Sequence, residues 1–337
     1  MSLQQRNLIV PQMSDYDSVG NQWVPYLMRA DARDRKLASV CTDRWGLRNT
    51  VGRDSRDIAV DSIKDLGADA KIGVVLGSSA VFGVGASSDR GTVPSWLNAQ
   101  TELNWLNFGG RAYNSTQELL LLNLHLPRRL DAVVVMSGVN NLTLSYLSDS
   151  PSPVYNSFFL QSVFQKAMSN PENLRVGVRK PFRGLLRELR GRISATPTQV
   201  ARREIGDIYG TILCAFERDL RAVAAVAGGL GARVVFALQP LATWLDRPFS
   251  AEETKIFGIL DNMSPEWQVL GARLRSVRSQ YFVDVERICR SLNVSFANIN
   301  ISPEFQKTDE WLFVDRVHLT DLGYRRASEV ICREFSL

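Results

Sequence analysis

Apolar and polar positions along the chain group into blocks that predict a parallel β-sheet covered by helices. Short apolar runs bounded by glycine or polar residues are typical of buried strands, and helical patterns lie between them, one over about 204–227. Because strands and helices alternate, the chain is expected to form an α/β fold with right-handed crossovers. The predicted strands are 71–77 (KIGVVLG), 103–108 (LNWLNF), 131–136 (DAVVVM), 232–238 (ARVVFAL) and 292–297.

Two helix starts are indicated by local chemistry. Ser115 and Glu118 in STQE have the spacing of a capping box, in which each side chain satisfies the other's backbone N–H. A second helix is expected to begin at Ser264, with Pro265 at the first helical position and Glu266 in the first turn.

Two segments stand outside the alternation. Residues 1–70 are polar, irregular and rich in Asp and Arg, which predicts an N-terminal extension packed on a domain that spans 71–337. Residues 144–203 separate the third strand from the next helix, and we interpret them as an insertion or lid. Its phenylalanines either line an acyl or sugar pocket or form the insertion's own core; they are Phe158, Phe159 and Phe164.

The second half of the insertion is basic. Such a run is either a solvated face or a surface that meets an anionic partner, such as an acidic polysaccharide, a lipid headgroup or a membrane surface. The basic residues of 175–203 are Arg175, Arg179, Lys180, Arg183, Arg187, Arg190, Arg192, Arg202 and Arg203.

Composition narrows the class of protein. With 337 residues and 45% hydrophobic residues the chain can build a substantial core, and a net charge of +5 gives a mildly basic surface that does not by itself indicate nucleic acid. The N-terminus lacks the apolar run of a secretory signal, and the longest apolar stretch, 222–232, is too short to span a bilayer. A cytoplasmic location without a transmembrane helix is therefore expected.

The four cysteines are far apart in sequence, and none has the spacing of a metal site. Cys214 and Cys332 lie in apolar helical patterns, where a cysteine behaves as a small hydrophobic residue. We therefore expect no metal site at the cysteines, which are Cys41, Cys214, Cys289 and Cys332.

Candidate functional residues follow the predicted strands. In a doubly wound sheet, functional groups gather beyond the carboxyl ends of the strands. The segments at these positions, with one more near the C-terminus, are Gly77-Ser78-Ser79-Ala-Val-Phe-Gly83-Val-Gly85, Asn107-Phe-Gly-Gly-Arg-Ala112, Gly138-Val-Asn140-Asn141 and Asp315-Arg-Val-His318.

These segments, in this order, resemble the four sequence blocks of the SGNH (GDSL-like) hydrolases: the Gly-x-Ser block, the glycine block, the GxND block and the DxxH block. The resemblance covers roughly residues 71–337. The phrases LGSSAVFGVGASS and FVDRVHLTDLGY look especially like bacterial members associated with cell-surface polysaccharide metabolism. The resemblance implies a three-layer α/β/α sandwich with a flavodoxin-like five-stranded parallel sheet, and a serine esterase that needs no metal or organic cofactor.

The resemblance places the nucleophile on Ser79 and leaves Ser78 where the family usually has Asp. A serine hydroxyl needs a base to take its proton as it attacks, and His318 is the matching candidate. Asp315 precedes it by three residues, where a carboxylate can fix the imidazole tautomer and stabilise the imidazolium. The other histidine, His125, lies in a leucine-rich run near a helix C-terminus, where packing or charge complementation is the simpler role.

The family's oxyanion hole maps onto the Ser79 backbone N–H, the Asn140 side-chain amide and a backbone N–H of the second block, which falls on Ala112. Gly109 and Gly110 are alternatives for this third donor. The chain departs from the family twice, with Ala112 for a glycine and Asn141 for an aspartate.

The resulting hypothesis is a serine esterase that cleaves a short acyl group, acetyl above all, from a carbohydrate through an acyl-serine intermediate. An O-acyltransferase would use the same triad, and an SGNH-like module that binds carbohydrate or protein without catalysis is a third hypothesis. A phosphate or dinucleotide loop at Gly77–Gly85 is disfavoured, because the segment matches neither GxGxxG nor GxxxxGK[ST].

Overall fold

The computed structural model describes residues 3–67, 69–147 and 205–337. Residues 3–67 form short elements around stretches of loop. These are helices α1 (Leu3–Ile9) and α2 (Met13–Ser18), the antiparallel pair β1 (Asn21–Gln22) and β2 (Ala30–Asp31), the antiparallel pair β3 (Thr50–Val51) and β4 (Asp57–Ile58), and a 3₁₀ helix at Val60–Asp65.

The centre of the molecule is a parallel sheet of five strands, in the spatial order β6-β5-β7-β8-β9. The predicted strands are thereby confirmed, with boundaries shifted by up to three residues. The strands are β5 (Ile72–Gly77), β6 (Asn104–Gly109), β7 (Ala132–Ser137), β8 (Arg233–Leu238) and β9 (Ser295–Asn298).

Helices connect the strands and cover both faces of the sheet. After β5 come α3 (Ser79–Phe82) and α4 (Val93–Gln100), after β6 α5 (Ser115–Leu124), and after β7 α6 (Val139–Leu147) and α7 (Ile205–Gly228). Between β8 and β9 lie α8 (Ala251–Met263) and α9 (Glu266–Ser291), and the chain ends with α10 (Pro303–Gln306) and α11 (Asp321–Phe335).

The core lies in two layers, one on each face of the sheet. Because side chains alternate along a strand, Val75 and Val134 join the cluster that packs under α4, α8 and α11, whereas Val74 and Val133 join the cluster under α5, α6, α7 and α9. The predicted three-layer α/β/α architecture is confirmed.

Both helix starts proposed from sequence are wrong by one residue, because the N-cap residue differs from the proposed one in each helix. Asn114, not Ser115, caps α5 and shares the capping box with Gln117, because the Ser115 hydroxyl is taken by a tertiary contact with Asp219. Helix α9 begins at Glu266, and Pro265 is its N-cap residue rather than its first helical residue.

The strand order brings the candidate segments to one edge. The chain leaves β5 towards β6 on one side and returns past it to β7 on the other, so β5 and β7 flank the point where the strand order reverses. Gly77 at the end of β5 is in register with Gly109 of β6 and Met136 of β7. The loops that follow these strands therefore emerge side by side.

Within the part of the chain that the structure describes, no helix is long and apolar enough to cross a membrane. The predictions about the insertion at 144–203, including its phenylalanines and basic run, concern residues that lie outside the described ones from 148 onward; residues 144–147 belong to α6.

Candidate active site

Ser79 is the first residue of the short helix α3, directly after strand β5. It is 8% exposed, so most of the residue is enclosed by the protein. The preceding Ser78 is the N-cap residue, and its hydroxyl donates a hydrogen bond to Gln239 Oε1 at 3.2 Å. The two adjacent serines therefore have different partners.

The structure brings Ser79, His318 and Asp315 into one hydrogen-bonded chain. His318 Nε2 lies 2.8 Å from Ser79 Oγ, and His318 Nδ1 lies 2.7 Å from Asp315 Oδ2. Both ring nitrogens are thus engaged, one by the candidate nucleophile and the other by a carboxylate. This is the arrangement in which an imidazole can take a proton from serine while the carboxylate stabilises the resulting charge.

Asp315 is held in its ionised form by its surroundings. Burial acts to raise the pKa of its carboxyl, but the His318 charge and hydrogen bonds outweigh burial and lower the pKa below its usual value. Its Oδ1 accepts the backbone N–H groups of Val317 and His318 at 2.8 and 2.7 Å, while Oδ2 faces the imidazole. The same carboxylate therefore shapes the turn and orients the ring.

The acid and the base lie in a tight hairpin between α10 and α11. Phe313 pairs with Leu319, and the N–H of Val314 donates to the His318 carbonyl at 2.9 Å. Gly85, with φ +97°, lies against this hairpin, where an added Cβ would meet the Leu319 carbonyl oxygen at 2.6 Å. Only glycine allows this approach, so the serine block and the histidine hairpin meet backbone to backbone.

Helix α8 supports the same hairpin through residues that sequence reasoning missed. Glu253 accepts the N–H groups of Leu312 and Phe313 at 2.9 and 3.1 Å, and it forms a fully buried ion pair with Arg247 at 2.7 Å. Glu253 also belongs to an evident capping box with Ser250, which indicates a helix start but not this long-range contact.

The candidate oxyanion donors differ in their availability. Asn140 Nδ2 donates one proton to the Tyr113 carbonyl at 2.8 Å, which leaves the second amide proton for another acceptor. The N–H of Gly109 is bonded to Asn107 Oδ1 and that of Gly110 to the Gly77 carbonyl.

Among the described residues no acceptor is bonded to the N–H of Ala112 or of Ser79. The third donor predicted at Ala112 is thus free where its two alternatives are engaged. Ala112 has φ +63°, in the left-handed region that favours glycine, and this explains why the resembling family has glycine at this position.

The second departure from the family pattern has a structural reason. Asn141 Oδ1 accepts the Ser115 N–H, and Asn141 Nδ2 donates to Ser115 Oγ at 2.7 Å. Ser115 Oγ then gives its own proton to Asp219 at 2.7 Å. A carboxylate at position 141 could not donate to Ser115 Oγ and would instead compete with Asp219 for the hydroxyl proton, so the amide fits this position better. The orientation of Asn140 is set separately, by its hydrogen bond to the Tyr113 carbonyl.

Residues 3–67 contribute buried arginines beneath the site. Arg48 is 1% exposed and donates to the carbonyls of Phe82 and Gly83 at the end of α3, while its Nε meets Asp89 at 2.7 Å. Tyr16 Oη donates to the Gly83 carbonyl at 2.8 Å. The extension, which the sequence predicted to pack on the domain, therefore contacts the helix that carries Ser79, and its composition did not indicate this particular contact.

The remaining candidates lie apart from the triad. His125 follows α5 and packs against the rings of Trp45 and Phe108, and burial lowers its pKa. Cys332 packs beside the core, but Cys214 is exposed on α7, so its interpretation as a packed residue is wrong. Within the described residues, no group of three His, Cys, Asp or Glu side chains is placed to hold a metal ion.

Comparisons with known proteins gave matches among solved structures only. No protein-family model matches the sequence, and no curated protein matches it. Similar structures include an extracellular lipase from Streptomyces rimosus (14% identity, 79% of this chain and 99% of that chain, TM-score 0.43). An acetylxylan esterase from Geobacillus stearothermophilus is 15% identical over 81% of this chain and 96% of that chain, with a TM-score of 0.41.

A GDSL-like lipase from Bacteroides thetaiotaomicron is also similar, at 12% identity over 82% of this chain and 95% of that chain, with a TM-score of 0.41. Of these three proteins, only the one from Bacteroides thetaiotaomicron carries in its name the family that the four sequence blocks resemble. At this level of identity and superposition, the likeness assigns no activity to the present chain, and the function has to be argued from the side chains.

Proposed function

We propose that the protein hydrolyses a carboxylic ester through a covalent acyl-Ser79 intermediate. The observation that carries the proposal is the continuous hydrogen-bonded chain from Asp315 through His318 to Ser79, with contacts of 2.7 and 2.8 Å. Three polar groups from two separate segments, lined up in this way at the carboxyl edge of a parallel sheet, have the geometry of an activated nucleophile.

In the acylation step, Ser79 Oγ attacks the ester carbonyl carbon while His318 Nε2 takes the hydroxyl proton. The carbonyl π electrons move to oxygen, and Asp315 stabilises the imidazolium through Nδ1. The tetrahedral intermediate collapses when the C–O bond to the alcohol breaks. His318 then gives its proton to the departing alcohol oxygen, and the acyl group stays on Ser79.

The negative oxygen of the intermediate needs preorganised donors. In our proposal three groups donate hydrogen bonds to this oxygen: the free N–H groups of Ser79 and Ala112 and the second amide proton of Asn140. One such donor is worth a factor of about 100 to 1000 in kcat in the best-studied case. In deacylation, water attacks the acyl carbon, His318 takes its proton, and the cleaved Ser79 oxygen receives it back.

For the substrate we propose a short acyl group, acetyl above all, on a carbohydrate hydroxyl. Support comes from the two phrases around Ser79 and His318, which look like polysaccharide-associated bacterial proteins. Fold does not fix substrate, so this choice needs its own experiment.

The activity is tested with 4-nitrophenyl acetate and the Ser79→Ala variant. We expect Ser79→Ala to lower turnover at least about 1000-fold, as loss of a triad nucleophile does, with an unchanged melting temperature. Ser78→Ala is the matched control, because its hydroxyl bonds Gln239 rather than His318, and it should keep most of the activity. Turnover that survives Ser79→Ala but not Ser78→Ala would refute the assignment.

The substrate is tested with acetylated and longer-chain acyl sugars, with and without an added sugar acceptor. Release of free acetate with a preference for acetyl over longer acyl groups would support the esterase. Diversion of the acyl group to the acceptor would make the protein a transferase that uses the same triad. Equal rates on all chain lengths would contradict the proposed acyl preference.

A further inference from the structure

The N-terminal extension places a buried guanidinium against the loop that follows β6. Arg29 is 6% exposed, and its Nη1 donates to the Arg111 carbonyl oxygen at 3.0 Å. That carbonyl belongs to the peptide group whose N–H is that of Ala112. The rest of the guanidinium is fixed, because Nε and Nη2 both donate to Asn21 Oδ1, at 3.0 and 2.6 Å.

We propose that Arg29 is a positioning residue for the oxyanion hole, acting through the peptide group between Arg111 and Ala112. A peptide group is planar and, in this chain, trans at every described residue, so its C=O and N–H point in opposite directions. An anchor on the carbonyl therefore fixes the direction of the N–H on the opposite side. The proposal rests on the acyl-Ser79 chemistry proposed above.

The surroundings of the loop are consistent with an Ala112 N–H that points away from Arg29 and the extension. Ala112 is half-buried between the buried residues Arg111 and Tyr113. The extension lies on one side, where the Tyr113 hydroxyl donates to the Arg29 carbonyl at 2.6 Å. Asn140, another candidate donor, donates to the Tyr113 carbonyl. The peptide group anchored by Arg29 is thus bracketed by the extension and by the oxyanion segments.

The Arg111 side chain reinforces the same anchor. It forms a buried ion pair with Asp31 and donates to the carbonyls of Tyr16 and Gly20, both at 2.8 Å. The left-handed φ of Ala112 is a strained conformation for alanine, and strain persists only where neighbouring contacts determine the backbone. Arg29 supplies such a contact to the backbone of the loop, and the Arg111 side chain supplies others to the extension.

The charge on Arg29 adds a second effect. Burial and the neighbouring Arg111 lower its pKa to about 10, so the guanidinium stays charged at neutral pH. Its hydrogen bonds go to neutral oxygens, and a positive charge on a peptide carbonyl polarises the attached N–H into a stronger donor. The Ala112 N–H should therefore stabilise a negative oxygen better than an unassisted amide.

The test compares ester turnover by Arg29→Met, Arg29→Gln and Arg29→Lys with that of the wild type. Arg29→Met removes the donor and the charge, and we expect kcat to fall about 10- to 100-fold with KM within about threefold, since the lost interaction acts on the transition state. Arg29→Gln keeps a neutral donor and Arg29→Lys a charged one, so both should recover part of kcat. Arg33→Met, an exposed arginine of the extension, is the matched control and should match the wild type.

A second measurement is inhibition by phenylboronic acid, which forms a tetrahedral adduct with serine. Its inhibition constant would stay unchanged if Arg29 only stabilised the fold. Its inhibition constant should rise in parallel with the loss of kcat in Arg29→Met. A folded Arg29→Met variant with wild-type kcat would overturn the proposal, as would a loss confined to KM. Undiminished ester turnover by the Ser79→Ala variant would instead refute the proposed function. This outcome does not depend on the Arg29 variants, so the two failures can be told apart.

Discussion

Asn140 and Asn141 are adjacent in sequence but have separate tasks in the structure. Asn140 contacts the Tyr113 carbonyl beside the oxyanion loop, whereas Asn141 exchanges two hydrogen bonds with Ser115. Ser115 is in turn bonded to Asp219, so the residue type at position 141 is set by the carboxylate on α7. Sequence alone showed the departure from the family pattern, but only the tertiary contact explains it.

The first prediction at the residue scale concerns Asn141→Asp. Two carboxylates would then compete for the single proton of Ser115 Oγ, and we expect the free energy of unfolding to fall by about 1 to 3 kcal/mol. Urea denaturation near neutral pH measures this change. When Asn141→Asp is already present, adding Asp219→Asn should cost less than it does in the wild type, because it removes one of the two charges. Strictly additive effects would contradict the account.

At the scale of elements, helix α5 shows why a local motif can be misread. Asn114 and Gln117 have the same capping spacing as Ser115 and Glu118, one residue earlier. Glu118 is 2% exposed and accepts the Ser137 hydroxyl at the end of β7 at 2.7 Å, so it cannot serve the helix start. Both pairs satisfy the sequence rule, and the choice is made by packing against the sheet.

The same glutamate gives a prediction about pH. Burial raises the pKa of Glu118 to about 8, with a smaller contribution from the Asp219 charge. A carboxyl whose folded pKa lies above its unfolded value binds more protons in the folded state, so its stabilising effect is lost as pH rises from about 4.5 through 8. Each pKa unit corresponds to about 1.4 kcal/mol.

We therefore expect Glu118→Gln to lose less stability than the wild type between about pH 5 and pH 9. Gln keeps an acceptor for Ser137 but has no proton to lose. Denaturant unfolding at a series of pH values measures the difference, and Glu102→Gln, an exposed carboxyl, is the control. Parallel curves for wild type and Glu118→Gln would show that the buried carboxyl does not titrate in this range.

At the scale of the whole molecule, buried arginines of the extension donate hydrogen bonds to backbone carbonyls of the domain. The hydrophobic pattern was sufficient to predict a parallel sheet covered on both faces, because strand periodicity is a local property. The choice of Ser79, His318 and Asp315 came from the resemblance of the four sequence blocks. The role of the extension could not be predicted, since Arg48 and Arg29 are as polar in sequence as any surface arginine. Only their partners explain why they are buried.

The prediction at this scale is that Arg48→Met destabilises the entire protein. Removing one partner of a buried ion pair leaves Asp89 uncompensated and costs about 3 to 5 kcal/mol in comparable cases. The carbonyls at the end of α3 lose their donor at the same time. Thermal denaturation measures the loss, with the exposed Arg56→Met as control; a melting temperature equal to that of the wild type would show that the extension does not stabilise the domain.

The central claim is that Ser79 is a nucleophile activated by His318 and Asp315. Incubation with a fluorophosphonate, followed by peptide mapping by mass spectrometry, tests it most directly. The account predicts one adduct on Ser79, none in Ser79→Ala, and labelling at least about 100-fold slower in His318→Ala, where the general base is missing. An unlabelled Ser79, or an adduct that persists in Ser79→Ala, would contradict it.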